Sequence, residues 1–226
     1  MAADLEPGKF GAFGKIPALG DFFRLSLPQS FIDPWDAFLQ ASLVAGRSAK
    51  AEAWTEYYMT APIWRFALAA GVAGPDPVFG VVMPSVDRVG RQFPLTLAQV
   101  ARFDTPLRPL ISETALLAAL EDIALDALDD SMGREALAQR LETLPGLPDF
   151  SAAALRISGG GVVARSDGPA ALALDLALAQ APKVKAVFAA SLEVGSRLVA
   201  LPALPEGEAA AALFDLDASF WGEGRG

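Results

Sequence analysis

The chain has 226 residues, a formal net charge of −9, and neither histidine nor cysteine. Without these two residue types it has no disulfide, no thiolate nucleophile, no Ser-His-Asp or Cys-His catalysis and no histidine-ligated metal site. The negative charge and the absence of a lysine or arginine run also exclude the positive surface that a nucleic acid requires.

The first hundred residues predict a strand-rich region that contains one long helix. Phenylalanines between glycines predict a first strand over Lys9–Lys15. Asp33 is the expected N-cap of the helix because Pro34 fits the first helical position, and Gly46 is its expected end. Three later apolar runs are separated by connections too short for crossovers, so the strands must be antiparallel. They are Ile63–Ala70, Val78–Met83 and Pro94–Val100.

The region after residue 100 predicts helices and two hairpins. Its predicted elements are a helix capped by Ser112 and reaching Leu128, a helix over Arg134–Leu144, a hairpin over Leu155–Arg165, a helix over Pro169–Gln180, a hairpin of Val184–Ala190 and Arg197–Leu201, and a helix over Gly207–Phe214. The alternation of alanine and leucine in Pro169–Gln180 also permits a strand. With no repeat and no long linker, we expect one α/β domain over residues 1–226, with a strand-rich core over 1–100 and a helical half with a C-terminal hairpin over 101–226.

Several motifs suggest chemistry, but each has a simpler explanation. The glycines before Lys15 are too closely spaced for a phosphate-binding loop, and the motif's Ser or Thr is replaced by Ile16. Trp35 and Trp64 lie at core spacing, so we interpret them as core residues. The acidic side chains after residue 120 are expected to form a solvated helix face and not a cation site. They are Glu121, Asp122, Asp126, Asp129 and Asp130. We therefore expect no cofactor and no metal.

The loop Pro84–Arg91 concentrates charge between two predicted strands. Asp87, Arg88 and Arg91 are compatible with two interpretations. They face a partner protein, as loop residues often do, or Asp87 forms an internal ion pair with an arginine that holds the turn. Ser85 lacks a histidine base, and its activation as a nucleophile would need a nearby Lys15.

No apolar stretch is long enough to cross a membrane, and the first residues lack the basic start and apolar core of a signal peptide. We therefore expect a cytoplasmic protein with no membrane span.

Trp64 and Phe66 are two positions apart in a predicted strand, so they are expected to share one face of the sheet while Arg65 points to the other.

Four sequence blocks occur in order within the first hundred residues. They are GKIPALGDF at Gly14–Phe22, the block from Leu27 to Gln40, APIWRFAL at Ala61–Leu68 with Gly71, and MPSVDRVGRQFPLT at Met83–Thr96. Together they resemble the TagF/ImpM family of proteins associated with type VI secretion. After Val100 the resemblance is limited to the ending, at Leu201–Pro205 and at Leu213 and Phe214.

The resemblance implies a repressor that acts after translation in the cytoplasm of Gram-negative bacteria. Family members prevent assembly of the type VI secretion apparatus through a forkhead-associated scaffold protein. Some are fused to a serine/threonine phosphatase, and because this chain shows no such domain, any phosphatase in the pathway is expected to be a separate protein. The implied fold is an antiparallel sheet flanked by helices, of the α+β type and similar to longin and profilin-like domains.

Two function hypotheses follow from these observations. The first is a non-enzymatic regulator that binds the scaffold through the two charged loops. Its candidate partner-binding residues are Lys15, Asp21, Phe22, Ser85, Asp87, Arg88 and Arg91. The alternative is a small-molecule-binding protein or a carboxylate-dependent enzyme that uses the region of Lys15, Asp21 and Asp87.

Overall fold

The structure is a computed structural model that describes residues 8–103, 105–148, 156–158, 161–163, 184–193 and 195–222. Its strands are Gly11–Gly14 (β1), Phe23–Leu25 (β2), Trp64–Leu68 (β3), Val78–Met83 (β4), Leu95–Val100 (β5), Arg156–Ser158 (β6), Gly161–Val163 (β7), Ala186–Ser191 (β8) and Ser196–Leu201 (β9). Its α-helices are Gln29–Lys50 (α1), Trp54–Thr60 (α2), Leu107–Ser112 (α3), Thr114–Asp126 (α4), Arg134–Glu142 (α5) and Gly207–Ala211 (α6).

Seven of these strands form one antiparallel sheet in the order β2-β1-β5-β4-β3-β8-β9. The central meander of β3, β4 and β5 confirms the predicted antiparallel pairing, with Val81 opposite Arg65 on one side and Leu97 on the other. The predicted C-terminal hairpin is confirmed as β8 and β9, and β8 joins the sheet beside β3. The fold is therefore an α+β fold with helices against an antiparallel sheet.

The two faces of the sheet have separate cores. Trp64, Phe66 and Leu68 contribute to the core on the side of α1, whose Trp35 is fully buried and stacks on Phe66 at 4.6 Å between ring centroids. Trp35 also donates a hydrogen bond from Nε1 to Thr96 Oγ1 at 2.9 Å. The predictions that Trp35 and Trp64 are core residues, and that Trp64 and Phe66 share a face, are confirmed.

The other face is covered by α4, where Arg65 meets Glu121. Arg65 donates from Nε and Nη2 to the two carboxylate oxygens of Glu121, at 2.7 and 2.6 Å. The hydrogen bonds that Arg65 donates to Glu121 raise the pKa of Arg65 above its ordinary value. The prediction of a wholly solvated acidic face is wrong for Glu121, because strand alternation directs Arg65 toward α4. Asp126 is exposed and pairs with Arg140 at 2.7 Å.

Helix α1 begins earlier and ends later than its sequence signals indicate. The amides of Phe31 and Ile32 donate to Pro28 O, so the first turn precedes the predicted N-cap Asp33, and Pro34 lies inside the helix. Gly46 does not end it either. A Cβ at Gly46 would lie 2.3 Å from the ring of Trp54, so the glycine is needed for close packing and not as a stop.

Other element boundaries also differ from the prediction. The first strand is shorter than Lys9–Lys15, and Ser112 ends α3 instead of capping α4. The predicted hairpin over Leu155–Arg165 is present as the pair β6 and β7, whereas the predicted helix over Pro169–Gln180 lies outside the described residues. Short elements β2 and α2 were not predicted. Within the described part of the chain, no helix combines the length and apolar character needed to cross a membrane.

Candidate functional site

Two charged loops meet at one end of the sheet. The first, residues 15–22, connects β1 to β2, and the second, residues 84–94, connects β4 to β5. Because β1 pairs with β5, the end of β1 lies beside the start of β5, which brings the loops together. The approach is close: a Cβ at Gly14 would lie 2.0 Å from Pro94 O. We call residues 15–22 and 84–94 the paired loops.

Asp87 is the centre of the paired loops. Its carboxylate accepts hydrogen bonds from Lys15 Nζ at 3.0 Å, from Arg91 Nε at 2.6 Å, and from the amides of Val89 and Arg91 at 3.1 and 2.9 Å. Only 2% of Asp87 and 5% of Lys15 are exposed. The structure therefore contains an internal ion pair between Asp87 and an arginine, and adds Lys15 from the other loop.

The pKa of Asp87 reflects this environment. Burial acts to raise the pKa, but the Arg91 amide, the Lys15 ammonium, the Arg91 guanidinium and the Val89 amide together hold it well below its usual range. The carboxylate is consequently ionised at neutral pH and forms a charge-assisted network with both cations.

Hydrogen bonds to carbonyl oxygens join the two loops along their length. The Arg88 amide donates to Leu19 O at 2.9 Å, and its guanidinium donates to Ala18 O. Arg91 Nη2 donates to Gly20 O at 2.6 Å. Both arginines thus anchor the first loop to the second while remaining exposed.

Helix α2 supports the second loop from the core side. The buried hydroxyl of Tyr58 donates to Ser85 O at 2.7 Å and accepts from the Ser85 amide at 3.0 Å. Burial raises the pKa of Tyr58, so this group stays protonated. Trp54 Nε1 donates to Gln92 Oε1 at 2.7 Å. Sequence reasoning missed both supports, although the Trp-Thr-Glu-Tyr-Tyr run was a visible aromatic signal.

The seven candidate partner-binding residues fall into two groups. Lys15, Ser85 and Asp87 are buried, so they cannot contact a partner directly and the prediction is corrected for them. The side chains of Lys15 and Asp87 join the two loops, and the backbone of Ser85 is hydrogen-bonded to Tyr58. The candidates that lie at the surface are Asp21, Phe22, Arg88 and Arg91.

The surface of the paired loops also carries an exposed apolar side chain that the sequence did not single out. Val89 is 72% exposed at the turn of the second loop, and Phe22 is 49% exposed in the first. Asp21 accepts the Phe22 amide through Oδ1 at 2.8 Å, which closes the turn before β2. Two arginines, an aromatic ring and an aliphatic side chain therefore share this end of the molecule.

The three residues of the alternative catalytic site lie in two different environments. Lys15 and Asp87 are paired with each other in the interior, and the depressed pKa of Asp87 makes it a poor general base near neutral pH. The Asp21 carboxylate is at the surface and caps its own turn. Among the described residues, no group of three or more acidic side chains is placed to hold a metal ion.

Comparison with known proteins identifies the family. The family model of the TagF N-terminal domain, described as type VI secretion system-associated, matches residues 11–144. The chain belongs to the TagF family. The region matched includes both paired loops and the Arg65–Glu121 contact. No curated protein sequence matches the chain.

A solved relative has the same fold over nearly the whole chain. The crystal structure of PA0076 from Pseudomonas aeruginosa PAO1 is 30% identical, covers 96% of each chain and superimposes with a TM-score of 0.77. This likeness extends past residue 144, where the TagF family match ends, and so includes β8 and β9. The chain is a type VI secretion-associated protein with the α+β fold of that relative.

Proposed function

We propose that this TagF-family chain is a non-enzymatic cytoplasmic repressor that prevents type VI secretion by binding a forkhead-associated scaffold protein. The observation that carries the proposal is the exposed surface of the paired loops, which hydrogen bonds join to each other within the family-matched region. Buried Lys15 and Asp87 fix the loops from inside, while Phe22, Arg88 and Arg91 remain accessible.

Such a surface is suited to protein recognition. Arginine and aromatic residues are enriched among the side chains that dominate binding energy, and a fixed conformation reduces the entropy lost on association. The hydrogen bonds of Arg88 to Leu19 O and of Arg91 to Gly20 O supply that fixation.

The proposal predicts one result in cells and one with the purified protein. Deleting its gene should raise type VI secretion into the culture medium without changing transcript levels of the secretion genes, and purified protein should bind the purified scaffold. Phe22→Asp should weaken that binding at least about thirtyfold, because loss of a central aromatic contact costs about 2 kcal/mol or more.

Val44→Asp is the matched control for this experiment. Val44 is 62% exposed on α1, so the same charge is introduced at a similarly accessible apolar position away from the paired loops. Titration calorimetry should give wild-type affinity for Val44→Asp. Equal loss of affinity in both variants, or unchanged secretion after gene deletion, would contradict the proposal.

A further inference from the structure

Phe22 is a half-exposed aromatic ring that is held firmly on its other side. Its ring stacks on Phe13 at 6.3 Å and meets the edge of Phe93 at 4.7 Å between centroids. The Lys15 ammonium lies 4.7 Å from the ring centroid, in a cation–π contact. The exposed side of Phe22 therefore offers a preorganised apolar contact in the first of the paired loops, and Val89 offers another in the second.

The charges around these apolar side chains are unbalanced toward positive. Asp87 pairs with both Lys15 and Arg91, so the paired loops hold three cations, Lys15, Arg88 and Arg91, against two carboxylates, Asp87 and Asp21. Each guanidinium uses other nitrogens for its loop contacts, and Nη1 of Arg88 and of Arg91 has no acceptor among the described residues. This positive end belongs to a chain of net charge −9.

We propose that the paired loops bind a short acidic segment of a partner protein that carries one large apolar side chain. The carboxylates accept hydrogen bonds from Arg88 and Arg91, and the apolar side chain packs against Phe22 and Val89. Arginine recognises carboxylates through its planar set of donors, which matches the unused Nη1 groups. The inference rests on the proposed function, because it describes the partner segment that the regulatory surface accepts.

The charge of the whole chain favours a protein segment over a nucleic acid. A polyanion interacts over many phosphates and is repelled by the net charge of −9, whereas an acidic segment of a few residues feels mainly the local arginines. A basic segment would meet like charge at Arg88 and Arg91. The surface therefore favours a partner segment that is negatively charged and carries an apolar side chain.

Charge reversal tests the inference with the scaffold protein as probe. Arg88→Glu should weaken scaffold binding at least about tenfold in titration calorimetry. Raising the NaCl concentration from about 50 to about 300 mM should also weaken binding less in this variant than in the wild type. Arg102→Glu is the control, because Arg102 is an exposed arginine beyond the far end of β5. Wild-type affinity and salt dependence in Arg88→Glu would overturn the inference.

A second measurement does not depend on the scaffold. Two peptides with blocked, uncharged termini are titrated into ¹⁵N-labelled wild-type protein. One has a single phenylalanine flanked by four glutamates, and the other has four lysines in place of the glutamates. The acidic peptide should shift the amide signals of Phe22, Arg88, Val89 and Arg91, and the lysine peptide should not. Acidic-peptide shifts without scaffold binding would reject the scaffold as partner and retain the surface. No shifts, shifts elsewhere, or equal shifts with both peptides would overturn the inference.

Discussion

Asp87→Ala is expected to lower the thermal unfolding midpoint by about 10 °C, because removing one member of a buried ion pair leaves the other charge uncompensated. Asp87 accepts hydrogen bonds from Lys15 and Arg91 and from two backbone amides. Without it, the Lys15 ammonium stays 5% exposed with its anionic partner gone. Differential scanning calorimetry measures the change.

Two further variants separate charge from shape. Asp87→Asn retains an oxygen for the amides of Val89 and Arg91 but presents an amide donor to Lys15, so it should also destabilise the protein. Lys15→Met with Asp87→Ala removes both charges and should lose less than the sum of the two single variants. Additive losses in the double variant would show that the Lys15–Asp87 contact contributes nothing.

The pH dependence of this effect has a defined sign. The pKa of Asp87 is lower in the folded chain than its ordinary value of 3.8, so its contribution to stability is complete above about pH 5 and is lost as the pH falls toward the folded pKa. The difference in midpoint between wild type and Asp87→Asn should be constant from about pH 5 to about pH 8 and should narrow below about pH 4. A constant difference down to about pH 2.5 would contradict the assigned role of this carboxylate.

Trp64→Ala is expected to reduce the free energy of unfolding by about 3–5 kcal/mol, as removal of a buried tryptophan from a core does. Trp64 is 3% exposed and donates from Nε1 to Leu213 O at 2.8 Å. Its ring also stacks on Trp221 at 5.7 Å between centroids and 10° between planes. The change would therefore create a cavity and leave the Leu213 carbonyl without its donor.

Trp64→Phe is the matched variant, because it keeps an aromatic ring and removes the indole N–H. It should lose about 1–3 kcal/mol, mostly from the unsatisfied carbonyl. Urea unfolding monitored by circular dichroism measures both variants. A near-neutral Trp64→Ala would mean that Trp64 does not join β3 to the C-terminal segment, and would make it a candidate binding residue instead.

The sequence by itself determined the antiparallel centre of the sheet and the family. The connections between the runs at residues 63, 78 and 94 are too short for crossover helices, so local chain length decides the pairing of β3, β4 and β5. The alternation of Trp64, Arg65 and Phe66 likewise follows from the two-residue period of a strand. The absence of histidine and cysteine excludes disulfides and catalysis by histidine or a thiolate, whatever the fold.

Local signals were less informative where tertiary packing competes with them. Asp33 and Pro34 are good helix-start residues, yet the buried Phe31 and Ile32 extend α1 back to Gln29, because burial against the sheet outweighs a capping preference. The elements β2 and α2 contain three and seven residues, too few for a periodic pattern to be distinguished. Both elements are stabilised by tertiary packing and not by a local sequence pattern.

The candidate site depended on contacts between distant parts of the chain. Lys15 and Asp87 are 72 positions apart, and Arg65 and Glu121 are 56 apart. The sequence identified the charged residues of both loops, but an arginine beside Asp87 in the sequence was the only visible partner for it. The order β1-β5-β4-β3 places β1 beside β5. This strand order, set by burial of both sheet faces, buries three of the candidates and leaves Asp21, Phe22, Arg88 and Arg91 at the surface.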